Sequence, residues 1–271
     1  MRPVDLGSSL LRKRTTAGTA YVEVGAGEPL VLLHGVGMRL EAWESQIAAF
    51  AAGNRVIAAD LPGHGESLPL APGSTITDFV AWLSTFLRDL GLERANLAGH
   101  SMGAMIAGGA VATFPERIAR IAYLNGVFRR DPNAKAAVLA RAAAIRSEGV
   151  DREGPLSRWF VGTPAENDVR ENVRRWLGQV NPSGYATAYM AFAAGDDVYA
   201  DCWPRVACPA LFLTGSDDPN STPEMAEAMA AMTPHGWARI VAGHRHMVGL
   251  TAPDEVNRHL AEWLATTEAA R

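Results

Sequence analysis

The chain has 271 residues, 48% of them hydrophobic and 20% charged, with a mean hydropathy of -0.01 and a formal net charge of -4. Area scaling predicts that roughly three quarters of the unfolded surface is buried on folding, enough for a core without disulfide or metal staples. This composition excludes a disordered or collagen-like chain, offers no basic footprint for nucleic acid or an anionic membrane, and contains no apolar run near the ~18 residues of a membrane span.

Met1 to Thr16 carries Arg2, Arg12, Lys13 and Arg14 but no apolar h-region, so a cytoplasmic location is expected. Thr19–Val24 alternates and then meets Gly25, Gly27 and Pro29, a hairpin signal. Leu30–Leu33 is a wholly apolar run of the kind found in a central parallel strand. It is followed by a helix over Leu40–Ala52, a strand over Arg55–Ala59, a helix over Ile76–Leu90, a strand over Ala95–Ala98, a helix over Met102–Thr113 and a strand over Ile118–Leu124. This βαβ rhythm predicts an open parallel sheet with helices on both faces. Residues 126–205 show only helical stretches cut by proline and glycine, and the rhythm then returns with strand Ala210–Thr214, helix Pro223–Met232, strand Trp237–Val241 and helix Pro253–Thr267. The expected organisation is therefore a core of 1–125 and 206–271 interrupted by a helical insertion at 126–205. Cys202 and Cys208 read as free thiols.

Gly99-His100-Ser101-Met102-Gly103 joins a predicted strand to a predicted helix. A serine on so sharp a turn needs small residues two positions to either side, and the helix N-terminus aims free amides at the site. Ser101 is thus a candidate nucleophile. His34-Gly35-Val36-Gly37 follows an early strand, so the Val36 amide is expected to join that of Met102 as an oxyanion donor. An acid and then a histidine should follow the serine in the chain. Asp217 and Asp218 compete for the first role, His244 and His246 for the second, each at the carboxyl end of a strand. His34, His64 and His100 read as structural. No spacing suits a metal, and no glycine-rich cradle suits a phosphate cofactor.

These features together resemble the α/β-hydrolase superfamily over nearly the whole chain. The likeness rests on the histidine–glycine loop, DLPGHGES at Asp60–Ser67, GHSMG at the elbow, the GSDDP turn and the HMVGLTAPDEV tail. It implies an α/β-hydrolase fold with a mostly parallel twisted sheet and a helical cap. It also implies Asp218 as the acid, three residues after the turn glycine, and His246 as the base, by its distance from Pro253. The insertion, with RAAAIRSEGV at Arg141–Val150 and then Arg158-Trp159-Phe160, more loosely resembles the cap of 3-oxoadipate enol-lactonases.

A serine at the elbow disfavours the carboxylate-nucleophile branches of the fold, the haloalkane dehalogenases and epoxide hydrolases. The expected chemistry is hydrolysis of a small carboxylic ester or lactone through an acyl-enzyme, without cofactor or metal and with a small molecule as the only partner. Carbon–carbon hydrolysis of a ring-cleavage diketone is the alternative within enzymes, and a non-catalytic ligand-binding relative is the alternative outside them. The insertion carries ten arginines against ten acidic residues. From these and the nearby loop, Arg39, Arg130 and Arg158 are candidates to hold a substrate carboxylate, with Trp159 in the pocket wall. The sequence leaves the oligomeric state open.

Overall fold

The computed structural model describes residues 11–267; the beginning of the N-terminal stretch considered above lies outside them. Among the described residues the strands are β1 (Lys13–Arg14), β2 (Ala20–Val24), β3 (Glu28–Leu33), β4 (Asn54–Ala59), β5 (Ala95–His100), β6 (Ile118–Leu124), β7 (Ala210–Gly215) and β8 (Gly236–Val241). They form one sheet in the order β1-β2-β4-β3-β5-β6-β7-β8, parallel from β4 to β8 and antiparallel at the β1–β2 edge. The helices are α1 (Glu44–Phe50), α2 (Ile76–Asp89), α3 (Met102–Thr113), α4 (Pro132–Glu148), α5 (Glu153–Trp159), α6 (Asn167–Leu177), α7 (Pro182–Ala194), α8 (Pro223–Met232), α9 (Val248–Thr251) and α10 (Pro253–Leu264).

The period-two geometry of a strand sends successive side chains to opposite faces, and β3 obeys it within its apolar run. Leu30 and Leu32 join the core under α1 and α10, with Trp43, Ile47, Leu260 and Trp263. Val31 and Leu33 join the larger core under α2, α3 and α8, with Phe79, Leu83, Ile106 and Met229. A strand buried on both faces needs no polar alternation, which is why these segments read as continuous apolar runs.

Two local expectations differ from the structure. β2 and β3 do not form a hairpin: β2 pairs antiparallel with β4, and β4 stands between it and β3. The expected helix over Leu40–Ala52 begins as a 3-10 turn at Leu40–Trp43 before α1. Between β6 and β7 the chain makes no strand and folds as α4 to α7. The strand order reverses direction between β3 and β5, and the loops leaving their carboxyl ends open the crevice where such sheets place ligands.

Candidate active site

Ser101 stands between β5 and α3 with φ 53° and ψ -114°, a conformation strained for any residue bearing a Cβ. Its surroundings over-determine it. A Cβ on Gly99 would lie 2.2 Å from the Gly103 carbonyl oxygen, and one on Gly103 would lie 2.1 Å from that of Leu33. The Ser101 amide donates to Leu124 O at 2.8 Å, tying the turn to the end of β6.

The loop after β3 is held by two buried neutral histidines. His34 Nδ1 donates to Gly35 O at 2.7 Å and Nε2 accepts the Leu61 amide at 2.9 Å. His64 Nε2 accepts the Gly37 amide at 2.9 Å. Burial pushes the pKa of His34 down to about 4 and that of His64 to about 3. Among the described residues the Val36 and Met102 amides have no hydrogen-bond partner, which leaves both free for a ligand oxygen.

Asp218 is buried at the turn after β7, and its Oδ2 accepts from His246 Nδ1 at 2.8 Å and Asn125 Nδ2 at 2.9 Å. Oδ1 accepts the Asn220 amide at 2.8 Å. Burial works against ionisation, yet His246 and these donors outweigh it and hold the carboxyl below its ordinary range. The rivals lie elsewhere: Asp217 is exposed and bonded to Ser216, while His244 is half-buried and bonded to Thr251 Oγ1 at 2.8 Å. His100, also buried and lowered to about 3 by burial and by His246, donates from Nε2 to His246 O at 2.8 Å. The residue before the elbow serine thus fixes the backbone of the histidine loop. Trp159 stacks on the His246 ring with centroids 5.8 Å apart.

Ser101, His246 and Val36 line one cavity, walled by Trp159, Tyr189 and Phe192 from the helical segment. Among the described residues, three arginines, Arg130, Arg141 and Arg158, line it, and no acidic side chain does. Arg130 and Arg158 are therefore brought to the site. Arg39 is not: its Nε is paired with Glu41 at 2.8 Å and its Nη1 reaches Gln179, outside this cavity. The expectation for Arg39 is corrected, because a carboxylate two residues along already claims its guanidinium. Of the other aromatic residues in the segment, Trp203 packs on Tyr123 and Phe212 instead of facing Ser101.

Arg141, Asn125 and Asn220 escaped the reading of the sequence. Arg141 lies one turn after Val138 on α4, and both line the cavity. Asn220 Nδ2 is buried without an acceptor. Arg245 Nη1 donates to Ser157 O and Phe160 O, both at 3.0 Å, joining α5 to the histidine loop. Among the described residues no group of three His, Cys, Asp or Glu side chains is placed to hold a metal ion, and no helix is long and apolar enough to cross a membrane.

Comparison with known proteins identifies relatives of the chain. The chain is 51% identical over 247 residues to (E)-2-((N-methylformamido)methylene)succinate hydrolase of Acinetobacter baylyi, covering 91% of this chain and 94% of the relative. Among solved structures it is similar to a malate-bound thermophilic esterase of Thermogutta terrifontis, with TM-score 0.85, 27% identity, and 97% and 100% of the two chains covered. It is also similar to the enol-lactonase of Burkholderia xenovorans LB400, with TM-score 0.85, 25% identity, and 94% and 100% covered. The enol-lactonase likeness read from the insertion thus has a counterpart in three dimensions. Residues 30–259 match the alpha/beta hydrolase family, and the chain belongs to that family.

Proposed function

We propose that the chain is a serine hydrolase that cleaves a small, carboxylate-bearing ester, lactone or amide. The observation that carries this reading is the single cavity where Ser101 and the Asp218-bonded His246 meet three arginines and no acid. In this mechanism Ser101 Oγ attacks the carbonyl and His246 takes its proton, while Asp218 holds the Nδ1–H tautomer and faces the imidazolium that forms. The Val36 and Met102 amides take the oxyanion. The proton then passes from His246 to the leaving group, and a water activated in the same way releases the acid.

Helices α4 to α7 act as the cap. Burial lowers the Arg158 pKa, with the like charge of Arg141 second, while Tyr189 and Asp151 act the other way. The amide is included because the name of the Acinetobacter relative describes a formamido derivative of succinate.

A fluorophosphonate probe should form a stoichiometric adduct on Ser101, and Ser101→Ala should lower kcat by about 10⁴ or more. Mono-4-nitrophenyl succinate should be preferred over neutral 4-nitrophenyl butyrate, and Arg158→Met should erase that preference. Absence of an adduct would leave a ligand-binding relative, and preferential cleavage of a vinylogous diketone would move the reading to carbon–carbon hydrolysis.

A further inference from the structure

The catalytic cavity does not end at its arginines. Arg141, Arg158 and Tyr189 line it and also line a second cavity between α4 and α5, whose outer wall includes Ala144, Glu148 and Asp151. Exposure rises in the same direction. Ser101, His246, Trp159, Tyr189 and Phe192 are buried, and the Arg130 side chain is 5% exposed. Arg141 and Arg158 are half-buried, while Glu148, Gly149 and Asp151 stand in solvent. Asn220, which is also half-buried, is anchored by its amide to Asp218 Oδ1 at 2.8 Å and has its Nδ2 buried. The way from the nucleophile to solvent therefore runs past the two arginines.

The two walls of this gap hang on different supports. α4 packs against α7, and Arg141 Nε donates to the Tyr189 hydroxyl at 3.4 Å. α5 packs against α6 and is gripped there by Arg174, whose Nε and Nη2 donate to Glu153 at 2.8 and 3.0 Å. Arg245 holds the other end of α5 through Ser157 O and Phe160 O. Asp151 Oδ1 accepts the Glu153 and Gly154 amides, both at 3.0 Å, which fixes the rim. Arg158 thus stands between the like charge of Arg141, which disfavours its charged form, and Asp151, which favours it. Long arginine stems keep rotamer freedom, so the space between them can change without moving either helix.

We propose that substrates reach Ser101 through the gap between α4 and α5, and that Arg141, Arg158 and Tyr189 form a neck whose width decides which substrates pass. This rests on the hydrolase reading above only for Ser101 as the reacting residue. Specificity is then set twice, at the neck and again where the carbonyl meets the serine, and a group too broad for the neck is held in the outer cavity.

A thiol at the bottom of the passage tests this, with Ser101→Cys in a Cys208→Ser background alkylated by N-ethylmaleimide or by the bulky, equally uncharged pyrenylmaleimide and followed by mass spectrometry. Cys202 is buried with its thiol pushed up to about 11, so it does not compete. Dividing the bulky reagent's rate by the small one's cancels the reactivity of the thiol and leaves the width of the way in. Ala144 lines only the outer cavity, and Ala144→Trp should lower this ratio about tenfold or more, the cost of forcing bulk through a filled space. Ala143 is exposed and lines neither cavity, so Ala143→Trp should leave the ratio within about twofold. Arg141→Ala combined with Arg158→Ala should raise the ratio, and because this variant adds no bulk it decides alone if Ala144→Trp fails to fold. An unchanged ratio in folded Ala144→Trp protein or in the double alanine variant, or an equal fall in Ala143→Trp, overturns the proposal. Alkylation needs no activated nucleophile, so failure here is distinguishable from the absence of a fluorophosphonate adduct on Ser101.

Discussion

Replacing Asp218 with asparagine separates the charge of the acid from its hydrogen bonds. Oδ2 accepts two N–H donors, His246 Nδ1–H and the Asn125 amide, with the Thr214 hydroxyl also within 3.5 Å, while Oδ1 accepts one, the Asn220 backbone N–H. In Asp218→Asn the new NH2 group must face one side or the other. Turned toward His246 it meets two donors, and turned toward Asn220 it meets one. The second orientation wins by about one buried unsatisfied donor, ~1–3 kcal/mol. His246 then keeps its tautomer, and the loss is the negative charge opposite the imidazolium. Two charges ~4 Å apart at an effective dielectric of ~20 interact by about 4 kcal/mol, so kcat should fall by about 10³. A lost tautomer as well would bring the fall to about 10⁴. The measurement is kcat on mono-4-nitrophenyl succinate, with a thermal melt on the same samples. Tm should drop by several degrees for the donor left facing the amide at Asn220. A rate within tenfold of the parent, or an equal loss in Asp217→Asn, would refute this account of the acid.

His246→Ala should abolish fluorophosphonate labelling of Ser101, whereas His244→Ala, which removes only the contact with Thr251, should label at a near-parental rate. Arg39→Ala should leave the kcat/KM of the anionic ester within about twofold, since its partners Glu41 and Gln179 lie outside the cavity. Acid should unfold the protein early. His34, His64 and His100 have native pKa values of about 4, 3 and 3, below the ~6.5 of an unfolded chain, so the unfolded state binds more protons and stability falls as pH drops below that value. By pH ~5 the three together remove on the order of 5 kcal/mol, which denaturant titrations at pH ~7 and ~5 would reveal as a lower midpoint. The double variant His34→Gln with His64→Gln should flatten that slope even if it lowers stability at neutral pH.

The parallel sheet, the elbow and the long helical segment were legible in the sequence because each is written in neighbouring residues. Apolar runs such as Leu30–Leu33 announce strands buried on both faces, and Gly99 and Gly103 announce a turn too tight for any Cβ. Choosing Asp218 over Asp217 and His246 over His244 needed a family resemblance, since adjacent residues carry the same chemistry and only their facing differs. Tertiary structure alone decided the rest. β2 pairs with β4 and not with β3, a choice made by which strand edge is free and not by the intervening glycines. α4 is rich in alanine and shows no marked apolar stripe, so only its packing against α7 turns Arg141 toward Ser101. Arg39 and Arg130 look alike as residues in a chain. One is paired with Glu41 outside the cavity, and the other is buried beside Asp196 and lines it, because a charge acquires its role from the partners that folding places within reach.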